Sequence, residues 1–186
     1  MTSIVVAVLA LVVVAGVVLY NGLIRSRNRV DTAWSDIDVQ LQRRHDLIPR
    51  LVTAVEQYAK YERATLEAVT ALRTEAMQVA DVRARGKAEE KLSAGIERII
   101  ALAEDYPDLK ANENFLSLQN ELVETENYLQ FARRYYNGSV RDYNTMTETV
   151  PNNIIAGGFN FASREFFQKT SDEAANVPLV DLGSVE

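Results

Sequence analysis

The sequence predicts an all-α protein: an N-terminal transmembrane helix followed by an up-and-down antiparallel four-helix bundle with a short irregular C-terminal segment. Three observations predict it. An unbroken apolar run opens the chain, the apolar residues beyond it recur at alternating steps of three and four, and nothing alternates at period two for long enough to make a strand. The expected division is an anchor over 1–24, a helical bundle over 25–150, and a membrane-proximal segment with an acidic tail over 151–186.

Composition supports a folded chain: 47% of the 186 residues are hydrophobic and 25% charged. Eight glycines and four prolines are too few for the many turns of an all-β sandwich. With no cysteine there is no disulfide, thiolate metal site, Cys nucleophile or lipobox. A net charge of -6 argues against a nucleic-acid partner, which would favour a basic face.

The anchor reads IVVAVLALVVVAGVVLYNGLI over residues 4–24. A spanning helix needs roughly 20 apolar residues to cross a hydrocarbon core of about 30 Å, and Tyr20 stands where an interfacial aromatic is expected. A cleaved signal would carry a positive start, a shorter apolar core and a small-x-small cleavage site. Met1, Thr2 and Ser3 carry no side-chain charge and no such site is evident, so the segment is expected to be retained. Arg25, Arg27 and Arg29 follow it, and no Lys or Arg precedes it. The positive-inside rule then places the C-terminal domain in the cytoplasm and a short N-terminus outside. The same arginines can touch anionic headgroups at about 1 kcal/mol each.

The first run after the anchor is Val30, Trp34, Ile37, Leu41, Arg44, Ile48, Leu51, Val55 and Tyr58, a stripe that faces partner helices. Pro49 removes a backbone donor within it and should kink the helix. A second run, from Thr65 to Val79, is expected to stop before Arg85 and Gly86. The first two runs are one bent helix or two; a break near residues 59–62 is favoured, because two antiparallel helices bury more surface than one overhanging rod. The third run spans Leu92 to Tyr106 and ends at Pro107. The fourth, from Phe115 to Val150, ends at Pro151 and Asn152. Four antiparallel helices joined by short connections return the end of the fourth to the membrane. The segment PNNIIAGGFNFASREFF (151–167) is then membrane-proximal, with Ile154, Ile155, Phe159, Phe161, Phe166 and Phe167 either capping the open end of the bundle or dipping into the interface. The tail after Ser171 is acidic and expected to be loosely held.

Chemistry-bearing residues are sparse. His45 is the only histidine, which excludes a His-based metal set, and a surface or capping role is expected for it. Glu121, Glu124 and Glu126 lack the Glu-x-x-His pairs of a di-iron bundle. No phosphate loop, nucleophile elbow or zinc motif is present, so no cofactor, metal or enzymatic activity is expected. Arg44 occupies a seam slot, where a guanidinium needs a carboxylate or carbonyl partner; it is either paired inside the bundle or at the seam's edge. Tyr136-Asn137 and Tyr143-Asn144 repeat at a spacing of seven and so share one face. They are a Tyr-rich core stripe, or a polar layer or interaction face with Arg44.

Several segments resemble the LemA family of bacterial membrane proteins: AWSDIDVQLQRRHDLIPRLV (33–52), YPDLKANENFLSLQNEL (106–122), RRYYNGSVRDYN (133–144), PNNIIAGGFNF (151–161) and YNGLIRSRN (20–28), in the family's order. Val150 stands where the family more often has Phe, and PLVDLGSVE lacks a frequent aromatic after its aspartate. The resemblance implies a helical bundle behind an anchor and no established reaction. Some relatives are linked to membrane assembly, including that of magnetosomes. The leading expectation is a non-enzymatic, membrane-tethered scaffold or adaptor acting by self-association or partner recruitment. The alternatives are a membrane-remodelling protein touching lipid through 154–167, and an unrecognised enzyme or ligand-binding bundle near Arg44. Expected partners are the bilayer and a second copy or another membrane protein.

Overall fold

A computed structural model describes residues 1–167. The acidic tail and the PLVDLGSVE departure lie outside the described residues.

The described chain is helical, with no strand among its residues. Helix α1 (Thr2–Glu56) is 55 residues long and joins the apolar segment to the first run of the helical domain without a break. At 1.5 Å per residue it is about 80 Å long. Pro49 lies inside α1. A turn leads to α2 (Arg63–Gln78), so the first two runs are separate helices. Helix α3 (Val82–Ala103) follows, opened by Asp81, whose side chain accepts from Ala84 N at 2.7 Å. This cap corrects the stop expected at Arg85 and Gly86: a capped start lets the helix run through both residues. The four-residue α4 (Pro107–Lys110) carries Pro at its first turn, where the missing N–H costs nothing. Helix α5 (Glu113–Glu148) starts at Asn112, which accepts from Asn114 N and Phe115 N. The short α6 (Asn152–Gly158) follows Pro151.

Contacts give the directions. Arg43 meets Glu124 and Trp34 meets Tyr136, so α5 runs antiparallel to α1. Arg85 pairs with Asp38 and Ser93 with Arg44, so α3 runs with α1. Gly95 lies against Val69 and Leu72, which sets α2 against α3. One buried cluster, including Ile48, Leu51, Val69, Leu92, Ile99 and Leu122, joins the four long helices at the end far from the apolar segment. A second, including Leu23, Ile37, Leu41, Val140, Tyr143, Phe161 and Phe167, joins α1, α5 and the C-terminal segment at the near end.

The apolar stretch is long and apolar enough to cross a membrane, and its window buries nothing against the rest of the chain. From Tyr20 onward the same helix is covered. Leu23 is fully buried, and Gly22 faces Met146 closely enough that an added Cβ would sit 3.0 Å from its methyl.

Candidate functional site

Two constellations stand out. The first surrounds Arg44, which is buried on the inner face of α1. Its guanidinium pairs with Glu89 of α3, donates to Ser93 Oγ at 2.7 Å, and donates to Glu126 of α5 at 3.0 Å. Glu89 is fully buried, and its second oxygen meets His45 Nε2 at 2.8 Å. His45 is thus interior, which corrects the surface role expected for it. The adjacent helical positions 44 and 45 point to different sides of one carboxylate on α3. Arg73 of α2 donates to His45 O at 2.7 Å, so all four long helices contribute to the network. A cleft of about 250 Å³ opens beside it, lined by Arg44, Ser93, Ile96, Glu97, Leu122 and Glu126. The charge of Arg44 faces two carboxylates of its own chain there, as a buried charge must face some partner.

Burial alone would raise the Glu89 carboxyl. The hydrogen bond with His45 and the charge of Arg44 outweigh burial and hold it below its ordinary value of 4.5. A carboxyl with a depressed folded pKa contributes stability that is full above its unfolded value and is lost as pH falls through the folded one. Urea midpoints should therefore fall between pH 5 and lower pH, and Glu89→Gln should flatten that part of the dependence. An unchanged slope in the variant would show that other carboxyls cause it.

The second constellation is on α5. Asn160 adopts φ 57°, a left-handed conformation that Asn tolerates, and turns the chain into an extended strap over residues 161–167. Asn144 grips the strap at both backbone groups of one residue, accepting from Arg164 N at 2.8 Å and donating to Arg164 O at 2.9 Å. Asn137 accepts from Phe167 N at 3.0 Å. Tyr143 donates to Ala162 O and Tyr136 to Glu165 O. Burial raises both phenols above their ordinary value. The four residues thus bind the strap's backbone rather than Arg44. Two turns of α5 separate the pairs, which matches the strap's advance from 162–164 to 165–167.

Phe167 ends the strap fully buried against Trp34, with the Arg133 guanidinium 5.4 Å over its ring. Arg133 also meets Glu126 at 3.6 Å and so links the strap to the Arg44 network. Burial pulls its guanidinium below the usual value, opposed mainly by Glu126. The strap crosses α3 at Gly86, where an added Cβ would stand 2.2 Å from Phe167 O. The obstacle is backbone, so Gly86→Ala should lift the strap, at a cost of about 1–3 kcal/mol for overpacking. Hydrogen exchange at the Arg164 and Phe167 amides measures it; unchanged protection would contradict the contact.

The remaining residues singled out in the sequence gather at the end of the apolar stretch. Phe159 and Phe161 lie edge-on to Tyr20 at 5.0 and 5.7 Å, and Arg27 sits 5.5 Å over Phe161. Phe161 and Phe167 are buried, Ile155 is partly covered, and Ile154, Phe159 and Phe166 are exposed. Arg25 donates to Asn21 O, and Arg29 is exposed. Sequence reasoning missed Glu89, although it lies three residues before Leu92, one step back along the same stripe.

The sequence profile of the LemA family matches residues 33–182. Protein LemA of Metamycoplasma hominis is 26% identical over 87% of this chain and 74% of its own length. Magnetosome protein MamQ 2 of Paramagnetospirillum magneticum is 23% identical over 87% of this chain and 68% of its own. With most of its length inside the family match, the chain belongs to the LemA family.

Proposed function

We propose that the chain is a non-enzymatic, membrane-tethered scaffold: an up-and-down four-helix bundle held upright on its anchor, with the bundle on the cytoplasmic side of the bacterial inner membrane. Its boundaries are those read from the sequence: anchor 1–24, bundle 25–150, membrane-proximal segment beyond. The observation that carries the reading is the continuity of α1, which has no linker between the apolar stretch and the domain. A scaffold that arrays copies or partners benefits from such a post, because it keeps each binding face at one height and raises effective concentration in the plane. The Arg44 network spends its charges internally, which disfavours the ligand-binding alternative. Crosslinking in intact membranes, followed by mass spectrometry, should recover a second copy or a discrete partner. A chain that stays monomeric and partnerless there would overturn the reading.

A membrane-organising role has its own support. Leu19, Tyr20, Gly22, Leu23 and Ile24 are covered in part or whole, which leaves about 25 Å of helix before them against a core of about 30 Å. The shortfall falls where Phe159 stands exposed beside Tyr20, and Val150 and Ile154 are exposed on the segment that leads to it. Seating these side chains in the leaflet makes up the difference and perturbs one side of the bilayer. The MamQ relative, named as a magnetosome protein, agrees with this reading. Liposomes carrying wild type should deform more than those carrying the Ile154→Ser/Phe159→Ser variant; equal shapes would remove this role.

A further inference from the structure

We infer that the open groove between α1 and α5, formed by Asp36, Val39, Gln40, Tyr128, Phe131 and Tyr135, is the face on which two copies of this chain meet. The inference deepens the scaffold reading and rests on it.

The groove is a cleft of about 350 Å³ on the flank of the α1–α5 pair. Val39 and Phe131 are each 63% exposed, Tyr135 53% and Tyr128 50%. Three aromatic side chains on one flank of a helix are costly to leave in water and are the residue types that anchor protein interfaces. Lipid is not their partner. Val39 lies 15 residues beyond Ile24 along one continuous helix, about 22 Å farther from the membrane, outside the reach of an interfacial contact.

Charge and symmetry point to a second copy as the occupant. The register of α1 on α5 is set by Trp34 against Tyr136 and by Arg43 against Glu124, which places Asp36 level with Arg134. Both side chains are exposed, Asp36 on the α1 edge of the groove and Arg134 on the α5 edge, its guanidinium 4.8 Å over the Phe131 ring. Copies anchored through the same helix stand parallel at one height, so they can be related by a twofold axis along the membrane normal. That axis sets the α1 edge of one copy against the α5 edge of the other. Asp36 of each then faces Arg134 of its neighbour, and the aromatic patches meet between the two ion pairs. An isologous contact of this kind needs one surface and closes at two copies.

The test uses the full chain in lipid nanodiscs, with the dimer dissociation constant read by single-molecule FRET. Phe131→Ser/Tyr135→Ser should weaken the dimer at least about tenfold, as removal of interface anchors does, with helix content and melting unchanged. Asp36→Arg and Arg134→Asp should each weaken it, and the two together should restore it, which loss of folding would not do. A wild-type dimer that all these variants leave intact overturns this face and leaves self-association standing. A wild-type chain that is monomeric in nanodiscs and in native membranes overturns both the face and self-association, and leaves partner recruitment as the scaffold's only route.

Discussion

Glu89→Ala should cost about 3–5 kcal/mol of stability, because it strands the buried Arg44 charge while His45 loses its acceptor. Arg44 would keep Glu126, but Glu126 is also drawn to Arg133 and is partly open to solvent. The network's worth lies less in its attraction than in the penalty for breaking it. Accordingly, Arg44→Met/Glu89→Met should recover most of what either single change loses, since apolar residues of similar volume replace such pairs at little cost. Denaturant unfolding in detergent measures all three variants. Additive losses in the double variant would show that the two side chains act independently.

Phe167→Ala should release the strap before it unfolds the domain. Emptying a fully buried Phe site costs about 3–5 kcal/mol when the surroundings stay in place. The strap is an irregular segment held largely by side chains of one helix, and segments with few anchors open locally at less than the global free energy. Fast exchange at the Arg164 and Phe167 amides is therefore expected, with a smaller drop in the global midpoint. Because Arg133 touches both Phe167 and Glu126, Phe167→Ala and Glu126→Gln should couple, differing from additivity by about 0.5–3 kcal/mol. Full exchange protection in Phe167→Ala would mean that the asparagine and tyrosine bonds suffice alone.

The helices were legible because burial of a stripe leaves a period in the sequence. Val30 to Val55 and Phe115 to Tyr143 carry it over many turns. The start of α3 was not legible: its first turns have few apolar residues, and Gly86, normally a stop, is there because the strap's backbone passes over it. Arg44 was recognisable as a buried charge in need of a partner, but its partner was not, since Glu89 reads as a solvated residue until α3 is set beside α1. His45 was misread for the same reason. The Tyr-Asn pairs announced a shared face through their spacing. What they hold is an extended segment whose own side chains the clasp ignores, and backbone recognition leaves no pattern in the sequence of the segment bound. The aromatic groove was hidden differently: Tyr128, Phe131 and Tyr135 flank the buried Leu129 and Tyr136, and only the register of α1 on α5 sets Val39 and Gln40 beside them.

The central claim is a rigid post, and the height of its far end tests it most directly. Tyr61 lies in the exposed turn after α1, and the chain's lack of cysteine makes Tyr61→Cys a unique labelling site. From Arg25 to Glu56, α1 rises about 46 Å. Distances from a label at Tyr61→Cys to labelled headgroups, measured in nanodiscs by pulsed electron-electron resonance, should show a narrow distribution whose shortest component lies near that value. A broad distribution reaching down to the bilayer would mean that the domain swings on its anchor and would contradict the account.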